Sequence, residues 1–454
     1  MDQTCAPLYE ALAEYAGGPW TGFHTPGHTG GRGLARGLPA DLDLTEIILR
    51  PGGPPIQDLV REAEELAAEA FGAGRTYFLT NGASIGVLAS LLGTCAAGSS
   101  VLLGRDCHRS AVSACIIGDL RPRFIEPEQA LDWAFTLGVA PARLAAEMRP
   151  GEAALITNPT YQGVVWDLGC LAGAGGTLLV DEAHGAHLAA DGRGARAAGA
   201  RAWVHGSHKT LVSLTQTGML HLGPGAPVEA YAAWLATLAS TSPSYPLLAS
   251  LDLARRWSAG EGRRAWAEAG ERLAGFRREL GRSGLRVLCD ADLPAGAFLD
   301  PAKLTLAAPG GGYAAAAALF GEYGLQVEAA GCDWLTLLVT PFHSDQELAR
   351  LKAALSAVIG PSSGGNGCPA RPAHPPRRAL WPREAFLGPR RLAPLADAAG
   401  EAAADSLCVY PPGIPLVWPG EVLDGETIAY IQAVSTAGGA VGGLQPGGFV
   451  PVVA

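Results

Sequence analysis

The fold of this chain is most restricted by two short apolar runs near its middle, each ending close to a charged side chain. Leu178–Val180 is followed by Asp181, and Trp203–Val204 leads into Lys209. Apolar runs of this kind, separated by glycine and alternating with helical stretches, are typical of parallel strands in an α/β sheet. Such sheets bind ligands at the carboxyl ends of their strands. We therefore expect Asp181 and Lys209 to meet at one ligand-binding edge.

An acid and an amine in these places suit pyridoxal phosphate. Lys209 would carry the cofactor as a Schiff base. Asp181 would stay ionised beside the pyridine nitrogen and keep it protonated, so that the ring can accept electrons. Taken singly, each residue would more often be a helix cap or a surface lysine. Their combination with the motifs below favours the cofactor site.

Two further predicted strands also end in motifs that suit a cofactor. Thr76–Leu79 runs through a turn of small residues, 80–86, into the apolar helix Val87–Cys95. This geometry offers backbone N–H groups and a hydroxyl to a phosphate at a helix N-terminus, although the turn lacks the lysine of a Walker loop. His108 follows the strand Val101–Leu103, where a histidine either stacks on a planar ring or lies solvated in a capped turn.

Composition limits the class of protein. The chain has 454 residues, 48% of them hydrophobic and 17% charged, which indicates a globular protein of two or three domains. A net charge of -10 argues against nucleic acid as the main partner. We expect no membrane span and no secretory signal. The nine cysteines form no CxxC pair, so structural zinc and a disulfide framework are not expected, and reduced thiols suggest the cytoplasm.

Changes in sequence texture predict the domain organisation. Charged helical stretches and short strands after the lysine motif indicate a small α+β domain, and a Gly/Ser/Pro-rich segment indicates a linker. The predicted units are an N-terminal arm (1–45), a cofactor-binding major domain (46–256), the small domain (257–360), the linker (361–376) and a C-terminal domain (377–454).

The sequence resembles the short branch of the ornithine/lysine/arginine decarboxylase family, which has the aspartate-aminotransferase-like fold type I of pyridoxal-phosphate enzymes. The resemblance implies an α/β major domain on a mostly parallel seven-stranded sheet, a small α+β domain and a C-terminal domain. It also implies that the N-terminal wing domain of the large family members is lacking. The matching motifs occur in the family's order and are HTPGHTGG, DLTE, TNGASIG, RDCHRS, TNPTYQG, VDEAHGAH, SHKTL, TSPSY, DPAKL and YPPGIPLVWPGE.

The same resemblance implies a role for each matching residue. Lys209 and Asp181 keep the roles above, His108 stacks on the ring, and His208 flanks the lysine. Gly206 departs from the family's usual serine three residues before the lysine, so one phosphate contact is lost or moves to Ser207. The remaining cofactor contacts are Ala83, Ser84 and Ile85 at the phosphate, Ala183 and His184 near the ring, and Thr241 and Ser242, which reach the partner subunit's cofactor in a homodimer.

The reaction implied is decarboxylation of a small basic amino acid, with arginine favoured over lysine and lysine over ornithine. The product would be a polyamine precursor. The substrate's distal cation needs an anionic partner, for which Glu421, Asp43 and Glu46 are candidates, and His28 of the HTPGH loop is a further candidate contact. Two alternatives remain open: another fold-type-I reaction, such as an aminotransferase or a carbon–carbon lyase, and a non-catalytic cofactor-binding regulator.

Overall fold

The computed structural model describes residues 21–23, 55–130, 132–189, 191–359, 371–372, 374–411 and 413–454. The strands among them are β1 (Thr21–Phe23), β2 (Arg75–Leu79), β3 (Ser100–Gly104), β4 (Arg121–Ile125), β5 (Ala153–Thr157), β6 (Val164–Trp166), β7 (Thr177–Asp181), β8 (Ala202–His205), β9 (Gly218–Leu222), β10 (Ala297–Leu299), β11 (Lys303–Ala307), β12 (Leu325–Val327), β13 (Ala329–Ala330), β14 (Trp334–Leu338), β15 (Arg390–Pro394), β16 (Leu407–Tyr410), β17 (Ile414–Val417), β18 (Ala440–Gly442) and β19 (Phe449–Val453). The α-helices are α1 (Ile56–Phe71), α2 (Gly82–Thr94), α3 (Arg109–Gly118), α4 (Pro141–Glu147), α5 (Ser207–Thr210), α6 (Val228–Leu238), α7 (Tyr245–Trp257), α8 (Arg263–Arg282), α9 (Gly312–Tyr323), α10 (Asp345–Ile359), α11 (Pro382–Leu387) and α12 (Gly425–Thr436).

A seven-stranded sheet in the order β2-β9-β8-β7-β5-β3-β4 organises the major domain. The strands from β8 to β4 run parallel, whereas β9 is antiparallel to both of its neighbours. The prediction of a mostly parallel seven-stranded sheet is therefore confirmed. Its register pairs Asp181 with Thr157 on one side and with Val204 on the other, so the carboxyl ends of β5, β7 and β8 lie side by side.

Both faces of this sheet are buried, which explains the continuous apolar runs in the sequence. Along β3, Val101 and Leu103 belong to the core beneath α2, while Leu102 belongs to the core on the opposite face. Helix α2 begins at Gly82, five residues before the predicted start at Val87, because the small residues of the predicted turn form its first turn. An added Cβ on Gly86 would lie 2.8 Å from side-chain atoms of Leu79 and Val204, so glycine permits this close packing.

The small domain contains the antiparallel sheet β11-β14-β13 and the helices α8, α9 and α10. Strand β1, in the predicted N-terminal arm, pairs in parallel with β12, and its Phe23 is fully buried in the small-domain core. Strand β10 pairs with β6 and joins the small domain to the major domain. The predicted boundary after residue 256 falls one residue before the end of α7 at Trp257.

The C-terminal domain packs α12 against the sheets β15-β19 and β17-β16-β18. Six described cysteines carry free thiols, but Cys332 is disulfide-bonded, so the expectation that the thiols are all reduced is wrong at this position. None of the helices within the described ranges is long and apolar enough to cross a membrane. The described residues also contain no group of three or more potential metal ligands.

A buried chain of hydrogen bonds runs beneath the carboxyl edge of the central sheet. Thr76 Oγ1 and His221 Nδ1 are hydrogen-bonded at 2.8 Å, and His221 Nε2 and His205 Nδ1 at 3.0 Å. His205 Nε2 then donates to a carboxylate oxygen of Glu182 (3.3 Å). Burial, with His205 nearby, holds the pKa of His221 well below its usual value of about 6.5.

We expect this chain of hydrogen bonds to make the fold sensitive to acid. The unfolded protein binds a proton at His221 below about pH 6.5, which the folded protein does not, so this contribution is full above that pH and is lost as the pH falls. His221→Gln should remove up to about 1.4 kcal/mol per pH unit from the slope of unfolding free energy between about pH 6.5 and 5. Urea unfolding at several pH values measures the slope. Replacement of the exposed His374 by Gln is the control, and equal slopes for His221→Gln and wild type would contradict the assignment.

Candidate active site

A cavity of about 290 Å³ lies at the carboxyl ends of the central strands. It brings together most of the predicted cofactor residues: Ala83, Ser84, His108, Asp181, Ala183, His184, His208 and Lys209. Two others, Ile85 and Ser207, are buried and do not line the cavity.

Lys209 lies on the short helix α5, which begins two residues after β8 ends. Its Nζ donates to His184 Nε2 at 3.0 Å. Burial lowers the pKa of Lys209, and the nearby Asp181 carboxylate opposes that shift. An added Cβ on Gly206 would lie 2.7 Å from the Ala183 carbonyl oxygen and 3.1 Å from Lys209 Cδ. The departure from serine at position 206 therefore has a steric reason: this arrangement of the lysine leaves no room for a side chain.

Asp181 is the last residue of β7 and is buried. Its Oδ1 accepts a hydrogen bond from the Ala183 backbone N–H at 3.0 Å. Burial raises the pKa of this carboxyl, while Lys209 opposes the shift. A protonated ring nitrogen placed against Asp181 would further favour the ionised carboxylate.

His108 supplies a neutral aromatic face on the cavity wall. Its Nδ1 accepts from the Ser110 backbone N–H at 3.2 Å, which caps α3. Burial, together with Lys209 and Arg109, lowers the pKa of His108 to about 4. The uncharged imidazole can therefore stack on a planar cofactor near neutral pH without placing a second cation beside its ring.

The N-terminus of α2 forms a cradle suited to a phosphate. Gly82 has φ +75°, and no side chain caps the helix, so backbone N–H groups of the first turn face the cavity region with Ala83 and Ser84. An added Cβ on Gly218 would lie 3.0 Å from the Ala83 nitrogen, which shows how closely β9 supports this turn. The fully buried Ser207 hydroxyl, which follows β8, has no hydrogen-bond partner within the described ranges and is therefore available to a cofactor oxygen. The residues present thus fit pyridoxal phosphate.

Several residues around the cavity were not predicted. Tyr161 Oη donates to Glu328 Oε1 at 2.7 Å, and the Tyr161 ring meets His184 edge to face at 4.7 Å. Tyr161 belongs to the recognised TNPTYQG motif, so its location could have been inferred, but Glu328 follows β12 in the small domain without any local signal. The other unpredicted lining residues that carry polar side chains are Asp106, Ser110, Thr136, Thr157, Thr160, Gln162 and Tyr410.

Glu421 does not lie at this cavity. It is 2% exposed, and its two oxygens accept from the Arg105 guanidinium at 2.7 and 2.8 Å. Because the carboxylate already has a buried cation inside the chain, the expected contact with the substrate's distal cation is not supported here. Thr241 and Ser242 are exposed and do not line the cavity of their own chain. The remaining candidates, His28, Asp43 and Glu46, lie outside the described residues.

Comparison with known proteins identifies the family to which the chain belongs. The family model described as "Orn/Lys/Arg decarboxylase, major domain" matches residues 55–293, and the model of the C-terminal domain of the same family matches residues 374–447. An arginine decarboxylase of Bacillus subtilis is 30% identical, over 95% of this chain and 94% of that protein. One from Bacillus anthracis is 31% identical, over 96% and 94%. The solved structure of the Escherichia coli constitutive lysine decarboxylase superposes with a TM-score of 0.74 at 21% identity, covering 100% of this chain and 82% of that one.

We expect Glu421→Gln to destabilise the protein without altering substrate affinity. The change leaves the buried Arg105 guanidinium without its charged partner, which costs about 3–5 kcal/mol of unfolding free energy. Denaturant unfolding and KM, measured on the same preparation, check both parts.

The matched control is Glu401→Gln, which breaks the exposed Arg391–Glu401 pair of the same domain and should cost no more than about 1 kcal/mol. A raised KM with unchanged stability for Glu421→Gln would instead indicate that Glu421 contacts the substrate.

Proposed function

The chain belongs to the Orn/Lys/Arg decarboxylase family and is a pyridoxal-phosphate-dependent decarboxylase of basic amino acids, and we propose that arginine is its preferred substrate, before lysine and ornithine. Near-complete coverage of the two arginine decarboxylases supports arginine. The observation on which the proposal mainly depends is a cavity that joins Lys209 and Asp181 to a carboxylate suited to a distal cation.

The residues of the major domain would serve the reacting end of the substrate. When bound, the cofactor supplies an electron sink for the pair left on the α-carbon as carbon dioxide departs. Lys209 holds the cofactor, and Asp181 keeps the proton on its ring nitrogen. His108 covers one face of the ring, and Ser84 with the first turn of α2 binds the phosphate.

Lys209 is also suited to return a proton to the α-carbon. Its amine is buried, and its lowered pKa favours an amine that exchanges a proton readily. The neutral His184 accepts a hydrogen bond from Lys209 Nζ, and its own pKa is held well below the usual value by burial and by the lysine. His184 therefore orients the amine without competing for its proton.

Glu328 is the carboxylate that we assign to the substrate's distal cation. The described lining residues include three carboxylates: Asp106, Asp181 and Glu328. Asp181 is assigned to the ring nitrogen, and burial raises the pKa of Asp106 to about 6, so Asp106 begins to lose its charge as the pH falls below neutral. Glu328 approaches the cavity from the small domain, and Tyr161 donates to its Oε1 at 2.7 Å, which places the carboxylate where a guanidinium or an ammonium can reach it.

We expect carbon dioxide release from arginine to exceed that from lysine and ornithine in kcat/KM. Norleucine, which has no distal cation, is the matched control substrate and should be the poorest of the four. Faster release from lysine would change the proposed substrate, and release from none of the basic amino acids would contradict the proposed function.

The role of Glu328 can be measured with Glu328→Gln, which keeps the shape and removes the charge. Loss of a charged hydrogen bond worth about 1.5–3 kcal/mol should lower kcat/KM for arginine about ten- to a hundredfold, mainly through KM. Replacement of the exposed Glu322 of the same domain by Gln is the control. A Glu328→Gln enzyme within twofold of wild type would exclude the assignment.

We further propose a homodimer in which Thr241 and Ser242 reach the partner subunit's cofactor. Both side chains are exposed on the isolated chain and stand away from its own cavity, which leaves them free for a contact in trans. Inactive Lys209→Ala chains mixed with inactive Thr241→Ala/Ser242→Ala chains should regain up to about a quarter of wild-type activity, because random pairing gives hybrids with one intact site. Absence of recovery after demonstrated subunit exchange would count against a shared site.

A further inference from the structure

Lysine is rare in this chain, and its few positions are informative. The 33 basic residues include three lysines, Lys209, Lys303 and Lys352. Lys352 pairs with Glu279 at the surface, and Lys209 lies at the cavity. Lys303 is 2% exposed and has no place in the chemistry described above. Because surface sites accept arginine readily, a buried lysine in such an arginine-rich chain indicates a need for a compact ammonium.

Lys303 begins β11 and points toward the wall of the cavity. Its Nζ lies 4.9 Å from the centroid of the Tyr161 ring and has no hydrogen-bond partner among the residues that the structure describes. Gly163 packs closely against the aliphatic part of the Lys303 side chain, since an added Cβ on Gly163 would lie 2.4 Å from Lys303 Cβ. A buried ammonium without hydrogen bonds must be stabilised by the aromatic face and by nearby carboxylates.

Two carboxylates act on this ammonium. Asp300 Oδ1 lies 2.7 Å from His187 Nε2 and 2.7 Å from the Ala302 backbone nitrogen, whereas its Oδ2 is buried and forms no hydrogen bond with the described residues. Glu328, held by the Tyr161 hydroxyl, lies at the cavity. Burial lowers the pKa of Lys303, and Glu328 and Asp300 oppose this shift, Glu328 more strongly. Among the described residues, the titratable and charged groups around Lys303 are Tyr161, His184, His187, Lys209, Arg277, Asp300 and Glu328.

We propose that Lys303 is a positioning residue of the substrate site, whose ammonium fixes the Tyr161–Glu328 pair and keeps the Glu328 carboxylate ionised for the distal cation of the substrate. The inference rests on the role proposed for Glu328. Lys303 touches neither substrate nor cofactor and acts through the face of Tyr161 and through the field at Glu328. The substrate cation therefore meets a carboxylate that is charged before it arrives.

The pH profile of Lys303→Met separates this role from a structural one. Without the ammonium, the acidic limb of kcat/KM for arginine should move to higher pH by about one unit or more, the shift that a lost opposite charge produces nearby. At alkaline pH, kcat/KM should return to within a few fold of wild type. Lys352→Met removes a surface lysine of the same domain and should leave the profile unchanged. A uniform loss of activity at all pH values would overturn the proposal.

A double-mutant cycle tests whether Lys303 acts through Glu328. In the Glu328→Gln background, Lys303→Met should no longer move the acidic limb. The same shift in both backgrounds would overturn the proposal for Lys303 alone. If Glu328→Gln by itself changes nothing, the role proposed for Glu328 fails instead, so the two failures are distinguishable.

A measurement on enzyme that keeps Lys303 covers the case in which Lys303→Met does not fold. Since the chain has three lysines, ¹³C-lysine labelling gives three Cε resonances, which Lys352→Met and the cofactor-bound Lys209 help to assign. Coupling is reciprocal, so Lys303 should titrate about one pH unit or more lower in Glu328→Gln than in wild type. Unchanged titration of Lys303 would overturn the proposal.

Discussion

The constraint on which the rest of this structure depends is that an amine and a carboxylate are buried together at one edge of the central sheet. A buried charge without compensation costs several kcal/mol, so Lys209 and Asp181 require hydrogen-bond partners and an opposite charge nearby. The adjacency of β7 and β8 sets their spacing, the Ala183 N–H binds the carboxylate, and His184 accepts from the amine. Gly206 provides the space in which the lysine can lie. The order of the strands, the lack of a side chain at Gly206 and the ionisation of this pair therefore depend on one another. A cationic cofactor ring would also favour the charged carboxylate.

A second buried pair fixes the C-terminal domain against the same sheet. The Arg105 guanidinium, one residue beyond β3, binds both oxygens of Glu421 and lies 4.6 Å from the Phe124 ring centroid. Phe124 in turn packs edge to face on Trp418 at 4.9 Å. Near this contact, the loop after β16 lies close to His108, and the Gly413 carbonyl accepts a hydrogen bond from the Arg109 N–H. The C-terminal domain consequently forms part of the cavity wall, and Glu421 links that domain to the residue after β3.

The sequence allowed prediction of what depends on local pattern. Helix α1 is an example, because its amphipathic repeat and the glycine that follows Phe71 are both local signals. Asp181 and Lys209 could be placed because they follow apolar runs. Glu328 could not be found, since its approach to the cavity depends on how the small domain docks. The pairing of Glu421 with Arg105 could not be foreseen, because the two residues are 316 positions apart in the sequence. The pairing of β1 with β12 likewise joins segments about 300 residues apart, and neither strand shows which partner it will take.

The origin of the cavity residues has a consequence for how such enzymes can change substrate. The groups suited to the cofactor come from the major domain, whereas Glu328 comes from the small domain and Tyr410 from the C-terminal domain. Substitutions in the small and C-terminal domains can alter the position or polarity of the groups that face a distal cation, without moving Lys209 or Asp181. The residues suited to the cofactor are held in place by the register of a sheet that is buried on both faces. A small shift in that sheet disturbs several strands at once. Selection of the substrate can therefore vary through domain contacts, while the chemistry stays fixed by the central sheet.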